Sequence, residues 1–132
     1  MDYKKTLDDL TKLLEELRQE NQNTPIIVEG IHDKNALKKL GIIGTIIPLN
    51  KGLPIANFCD QIATEYTKVI LLTDWDRKGG HLLRILYQNL EGRITINIEY
   101  RKSIAKLSLS RTIEGLPSWL NTLKNKVHTE KT

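Results

Sequence analysis

The residues with the clearest chemical potential are four acids placed where apolar runs end. Glu29 follows Ile26-Ile27-Val28 and precedes Gly30, and Asp33 lies four residues further on. Asp74 and Asp76 follow a second run, Val69 to Leu72, and stand two residues apart, so that an extended chain turns both carboxylates to one side and Trp75 to the other. Confined carboxylates repel one another unless protons or cations offset the charge. Oxygen-only ligands suit a hard divalent ion, magnesium first and manganese second, and such an ion keeps positions open for phosphate oxygens. The chemistry this favours is phosphoryl transfer. Each acid also has a plainer role: Asp33 can cap a helix by accepting from Asn35 or Ala36, and Asp74 and Asp76 can be turn residues before a helix. Glu29 has no capping duty at its position. Gly30 and Gly79 fit tight turns or close backbone approach.

A site for phosphates needs cations, and Lys34, Lys51, Arg77, Lys78 and Arg84 fall on or just after the same strand ends. Lys51, Arg77 and Lys78 are the better candidates for phosphate contacts, with a solvated helix face as the alternative, above all for Arg84. Arg101, Lys102, Lys106 and Arg111 form a looser basic segment that extends such a surface. His32, between Glu29 and Asp33, is placed either to shuttle a proton or simply to face solvent, and His81 is equally ambiguous. Trp75 either stacks on a base or packs in the core. The formal charge of +4 is compatible with a phosphate-rich partner but does not demand one.

The elements that must position these groups follow from periodicity. Leu7, Leu10, Leu14 and Leu17 recur at helical spacing and mark an amphipathic helix over about residues 3–22, whose stripe packs on the domain's own sheet or, as the second choice, on another copy in a homodimer. Strands are expected at Ile26–Val28, Thr45–Leu49, Lys68–Thr73 and Ile94–Tyr100. Helices are expected over Lys34–Leu40, Ile55–Tyr66 and the stretch after Gly80. Continuous apolar runs indicate strands covered on both faces, hence an α/β fold with about four parallel strands and helices on either side. A helical extension over about residues 110–128 carries Trp119, Leu120 and Leu123, opens near Gly115-Leu116-Pro117, and is followed by a frayed end at Thr129–Thr132.

With 132 residues the chain makes one domain. No apolar run is long enough to span a membrane and the first residues lack a signal-peptide core, which points to the cytoplasm. Cys59 is the single cysteine, which excludes an internal disulfide and a cysteine-based zinc site.

Taken together, IIVEGIHDKNAL and, some forty residues later, VILLTDWDRKGG resemble the two signatures of the Toprim domain family, over about residues 25–100. The resemblance implies a compact sheet flanked by helices, with Glu29 as general acid or base and Asp74 and Asp76 as magnesium ligands. Asp33 matches an acid found at the helix start of maturase-like members, and Gly30 and Gly79 match the turn glycines. Topoisomerases, replicative primases, ATPase-linked nucleases and zinc-bearing repair proteins need parts that this sequence lacks. What remains resembles a small, stand-alone archaeal Toprim protein or the Toprim domain of ribosomal RNA maturases, and that likeness favours RNA over DNA.

The leading expectation is therefore a magnesium-dependent endonuclease or RNA-processing factor. The alternative is a module that binds nucleic acid through the same groups without cutting it. A phosphoacceptor receiver domain is disfavoured, because its acids come as a pair after the first strand and singly after the third.

Overall fold

The computed structural model describes residues 1–131, with side chains through Glu130. Helix α1 (Tyr3–Asn21) opens with the Asp2 carboxylate accepting the Lys5 N–H at 3.0 Å. Then follow β1 (Ile26–Val28), α2 (Ile31–Lys39), β2 (Ile46–Pro48), α3 (Ile55–Glu65), β3 (Lys68–Leu71), α4 (Arg77–Leu90), β4 (Thr95–Asn97), α5 (Glu99–Leu107) and α6 (Leu116–Lys131). The four strands form one parallel sheet in the order β2-β1-β3-β4. Pro48 lies in an edge strand, where its missing N–H costs no ladder bond to a further neighbour.

Alternate residues of the inner strands feed two separate cores, which explains why their apolar runs are unbroken. Ile26, Val28, Ile70 and Leu72 face a layer containing Leu10, Leu14 and Leu17 of α1, Leu37 of α2, Ile104 of α5 and Trp119 and Leu123 of α6. Ile27, Val69 and Leu71 face Phe58, Cys59 and Ile62 of α3 and Leu86 and Leu90 of α4. The stripe on α1 thus packs inside the chain, the first of the two places expected for it, with Leu10 and Leu17 fully buried.

Three expectations from sequence need correction. The fourth strand ends at Asn97, and Glu99 and Tyr100 belong to α5. The Asn97 side chain accepts the Glu99 N–H at 2.9 Å, satisfying a donor that a continuing strand would have paired and so opening a helix instead. Helix α2 starts three residues earlier than Lys34, at Ile31. The last helix spans Leu116–Lys131 rather than about 110–128, and the end at Thr129–Thr132 expected to fray reaches Thr132, which lies outside the described residues.

Candidate functional site

The acids gather at the carboxyl ends of β1 and β3, neighbours at the centre of the sheet. The chain leaves β1 at Val28, and the Glu29 Oε2 accepts the backbone N–H of Asp74 at 2.8 Å, tying the two strand ends together. On the other side the Asp74 Oδ1 accepts the N–H of Ile113 at 2.9 Å. Burial, joined by the charges of Glu29 and Asp76 and opposed by the Ile113 N–H, pushes the Asp74 carboxyl up to about 6. Glu29 and Asp74 thus stand as neighbouring carboxyls whose mutual repulsion a shared proton or a cation relieves.

Asp76 has a second duty. It is the N-cap of α4, with its Oδ1 accepting the Gly79 N–H at 2.7 Å. Both aspartates lie beyond the end of β3, so strand alternation does not orient them; each is turned by its own backbone partner, Ile113 for Asp74 and Gly79 for Asp76. Gly79 is sterically required, since a Cβ there would sit 1.8 Å from the Asp74 carbonyl oxygen. The Thr73 hydroxyl donates to the Gly79 carbonyl at 2.8 Å and locks the same approach. Gly30 is different: its backbone is extended, and nothing lies nearer than 3.9 Å to an added Cβ.

Asp33 is buried and sits in the first turn of α2 rather than at its N-cap. Its Oδ2 reaches back to the Gly30 N–H at 3.0 Å, half of a capping box, in place of the forward bonds to Asn35 or Ala36. Burial raises its pKa, and the negative charge of Asp74 adds to the effect.

A groove of about 470 Å³ runs over this cluster, lined by Glu29, Asp33, Asp74 and His32 together with Lys51 and Lys78. Asp76, Lys34 and Arg77 do not line it. His81 is exposed on α4, away from the groove wall. A depression of about 550 Å³ elsewhere lies along α1, lined by its residues from Leu7 to Glu16 and by Lys124 of α6.

Three participants join the acids from distant parts of the chain, of which only Arg101 stood out in the sequence, as part of the looser basic segment. Glu114 lines the groove and its charge adds to the upward shift of Asp33. The Ile113 N–H holds Asp74. Arg101, on α5, donates from Nε to the Thr73 carbonyl at 3.0 Å and from Nη2 to the Asp74 carbonyl at 2.8 Å. The helical spacing of Tyr100, Ile104 and Leu107 is the signal that would have placed Arg101 on a helix. The loop between α5 and α6 straps the aspartate loop further: the Trp75 indole donates to the Ser110 carbonyl at 2.6 Å, and the Trp75 N–H donates to the Arg111 carbonyl at 3.1 Å. Trp75 also packs against the core, so its ring is held by the protein.

Among the described residues no three His, Cys, Asp or Glu side chains stand close enough to form a complete metal cage. Magnesium does not require one, because it is commonly held by one or two carboxylates with water and phosphate completing its shell. The Glu29–Asp74 pair, two adjacent carboxyls that form no ion pair among the described residues, offers the oxygen-only donors that would suit that mode.

A parallel sheet with a glutamate at one central strand end and a spaced aspartate pair at the next defines an α/β domain with its acids gathered at the carboxyl edge of the sheet. Residues 24–107 match the family model described as the Toprim domain, and the chain belongs to that family. It is 38% identical over 107 residues to a UPF0292 protein of Thermoplasma volcanium, covering 80% of this chain and 90% of the relative. It is 39% identical over 118 residues to a UPF0292 protein of Methanocaldococcus jannaschii, covering 86% and 91%. A solved structure of a protein from Aquifex aeolicus superposes with a TM-score of 0.69 at 28% identity, over 80% of this chain and 95% of that one. Family membership connects the chain with metal-dependent, nucleic-acid-related function. No helix among the described residues is long and apolar enough to cross a membrane.

Proposed function

We propose that this protein carries out magnesium-dependent phosphodiester chemistry on nucleic acid, as an endonuclease or RNA-processing factor acting in the cytoplasm, with RNA favoured over DNA. The observation that carries the reading is the half-buried Glu29–Asp74 carboxyl pair beside a groove that also bears Lys51 and Lys78. Asp74 and Asp76 hold the ion, with manganese as a substitute, and Glu29 and Asp33 are near enough in charge to assist. When bound, magnesium supplies Lewis-acid polarisation of a phosphate oxygen and offsets charge that develops on it. Glu29 keeps Oε2 on the Asp74 N–H, which fixes its orientation and leaves Oε1 to move a proton to or from water or the leaving oxygen. Lys51 and Lys78 neutralise backbone phosphates in the groove, and Lys34 and Arg77 extend the contact outside it.

A second reading is a module that binds nucleic acid through the same acidic and basic groups without cutting it. Structured RNA and DNA incubated with magnesium, manganese or chelator separate the two readings. Metal-dependent cleavage is expected, reduced about 100-fold or more in both Glu29→Gln and Asp74→Asn. Binding without cleavage in the wild type, or equal cleavage in the variants, removes the catalytic assignment and leaves the binding module.

A further inference from the structure

Arg101 is a half-buried cation beside the acidic cluster, docked on the strand end outside the lining of the groove, and it forms no ion pair within 4.0 Å among the described residues. Its partners are instead two consecutive backbone carbonyls, Thr73 at 3.0 Å through Nε and Asp74 at 2.8 Å through Nη2. A guanidinium is planar and presents its five N–H groups along fixed edges. The edge shared by Nε and Nη2 is spent on the strand end, so the side chain is immobilised there without neutralising a carboxylate. The distal edge, formed by Nη1 and the second N–H of Nη2, makes no hydrogen bond among the described residues. That edge has the geometry that receives two oxygens of a phosphate. Burial lowers the pKa of Arg101, and the charges of Glu29, Asp74 and Asp76 partly oppose that shift, which sets the guanidinium in the field of those three acids. Lys51 and Lys78, by contrast, are exposed point charges on the groove wall.

We propose that Arg101 is a phosphate-binding residue of this site: docked by one edge on the strand end that carries Asp74, it contacts a backbone phosphate of the bound nucleic acid with the other. This rests on the reading of the groove as a nucleic-acid site. The acids and the arginine then divide the work, since carboxylates alone repel a phosphodiester and a fixed guanidinium offsets that repulsion before any substrate arrives.

The test is a salt titration of binding to structured RNA and to DNA, in calcium to hold back cleavage, for wild type, Arg101→Gln, Arg101→Lys and the remote control Lys124→Gln, followed by cleavage in magnesium. Thermal melts and Trp75 emission, recorded in a Trp119→Phe background, report whether the aspartate loop keeps its structure. Arg101→Gln is expected to lower affinity about 10-fold and to reduce the slope of log affinity against log salt by about 0.7–0.9, the loss of one phosphate contact. Arg101→Lys keeps the charge but cannot dock and reach together, so affinity falls about 3-fold or more with the slope unchanged. Lys124→Gln behaves as wild type. Wild-type affinity and slope in a folded Arg101→Gln overturn the proposal while leaving the groove as a nucleic-acid site. If Arg101→Gln fails to fold, wild-type affinity and turnover in Arg101→Lys overturn it. A wild-type protein that binds neither RNA nor DNA overturns this proposal and the proposed function together.

Discussion

Asp74 receives the Ile113 N–H on its carboxylate, gives its own N–H to Glu29, and presents its carbonyl to Arg101. The fold holds this group in a place that penalises its charge: the carboxyl titrates near 6, above the ordinary aspartate range, chiefly through burial. The folded form therefore binds a proton more tightly than the unfolded chain between about pH 4 and 6. Stability falls as pH rises through that window, and the penalty is complete above it. Asp74→Asn keeps an oxygen for Ile113 and offers a donor to Glu29. In chelator at pH 7 to 8 it is expected to be more stable than wild type by about 1–2 kcal/mol, after allowing for solvent screening of a half-buried group, and to flatten the pH dependence between 4 and 6. Denaturant titrations at several pH values measure both effects, and an unstabilised variant would show that the carboxylate is not strained by its neighbours. The same substitution abolishes metal-dependent turnover under the proposed function, a trade of activity for stability at a single residue.

At the scale of elements, the site depends on how closely α4 approaches the end of β3. Gly79→Ala adds a methyl group within 1.8 Å of the Asp74 carbonyl oxygen, and no side-chain rotation relieves a contact made by Cβ. Alanine gains about 1 kcal/mol of helix propensity over glycine, but overpacking against backbone costs about 1–3 kcal/mol or more and displaces Asp74. The variant is expected to lose stability in denaturant and to lose most metal-dependent activity. Gly30→Ala, with no atom nearer than 3.9 Å, is expected to fold normally, and its melt provides the comparison. Helix α1 makes a different test. Leu14 is buried against the sheet, so Leu14→Ala should cost about 2–5 kcal/mol, with a melting temperature independent of protein concentration. A concentration-dependent midpoint would instead assign the stripe to an interface between copies.

At the scale of the molecule, one core layer unites the two ends of the chain. Leu10, Leu14 and Leu17 from α1 share a cluster with Ile113, Leu116, Trp119 and Leu123, which lie beyond the residues matched to the Toprim model. The strap between α5 and α6 also supplies the Ile113 N–H and Glu114 to the groove. Removing residues 108–132 therefore uncovers α1 and releases Asp74 at the same time. The truncated chain is expected to melt without a cooperative transition and to bind a hydrophobic dye, as circular dichroism and fluorescence would record. A sharp melt close to that of the full chain would show that the family core stands without its extension.

Periodicity and strand ends are local properties, and they carried much of this protein in the sequence. The α/β class and the four parallel strands follow from apolar runs that are continuous because both faces are covered. The positions of Glu29, Asp74 and Asp76 follow from where those runs stop. Short-range hydrogen bonding already blurred the reading at Asn97, whose side chain turned an expected strand into α5. Tertiary structure alone decided which partners face the acids. Arg101 and Ile113 meet Asp74 across separations of 27 and 39 residues, and Glu29 meets it across 45. Contacts of that range leave no periodic trace, because they arise from the packing of α5 and the following strap against the sheet rather than from the spacing of residues along any one element.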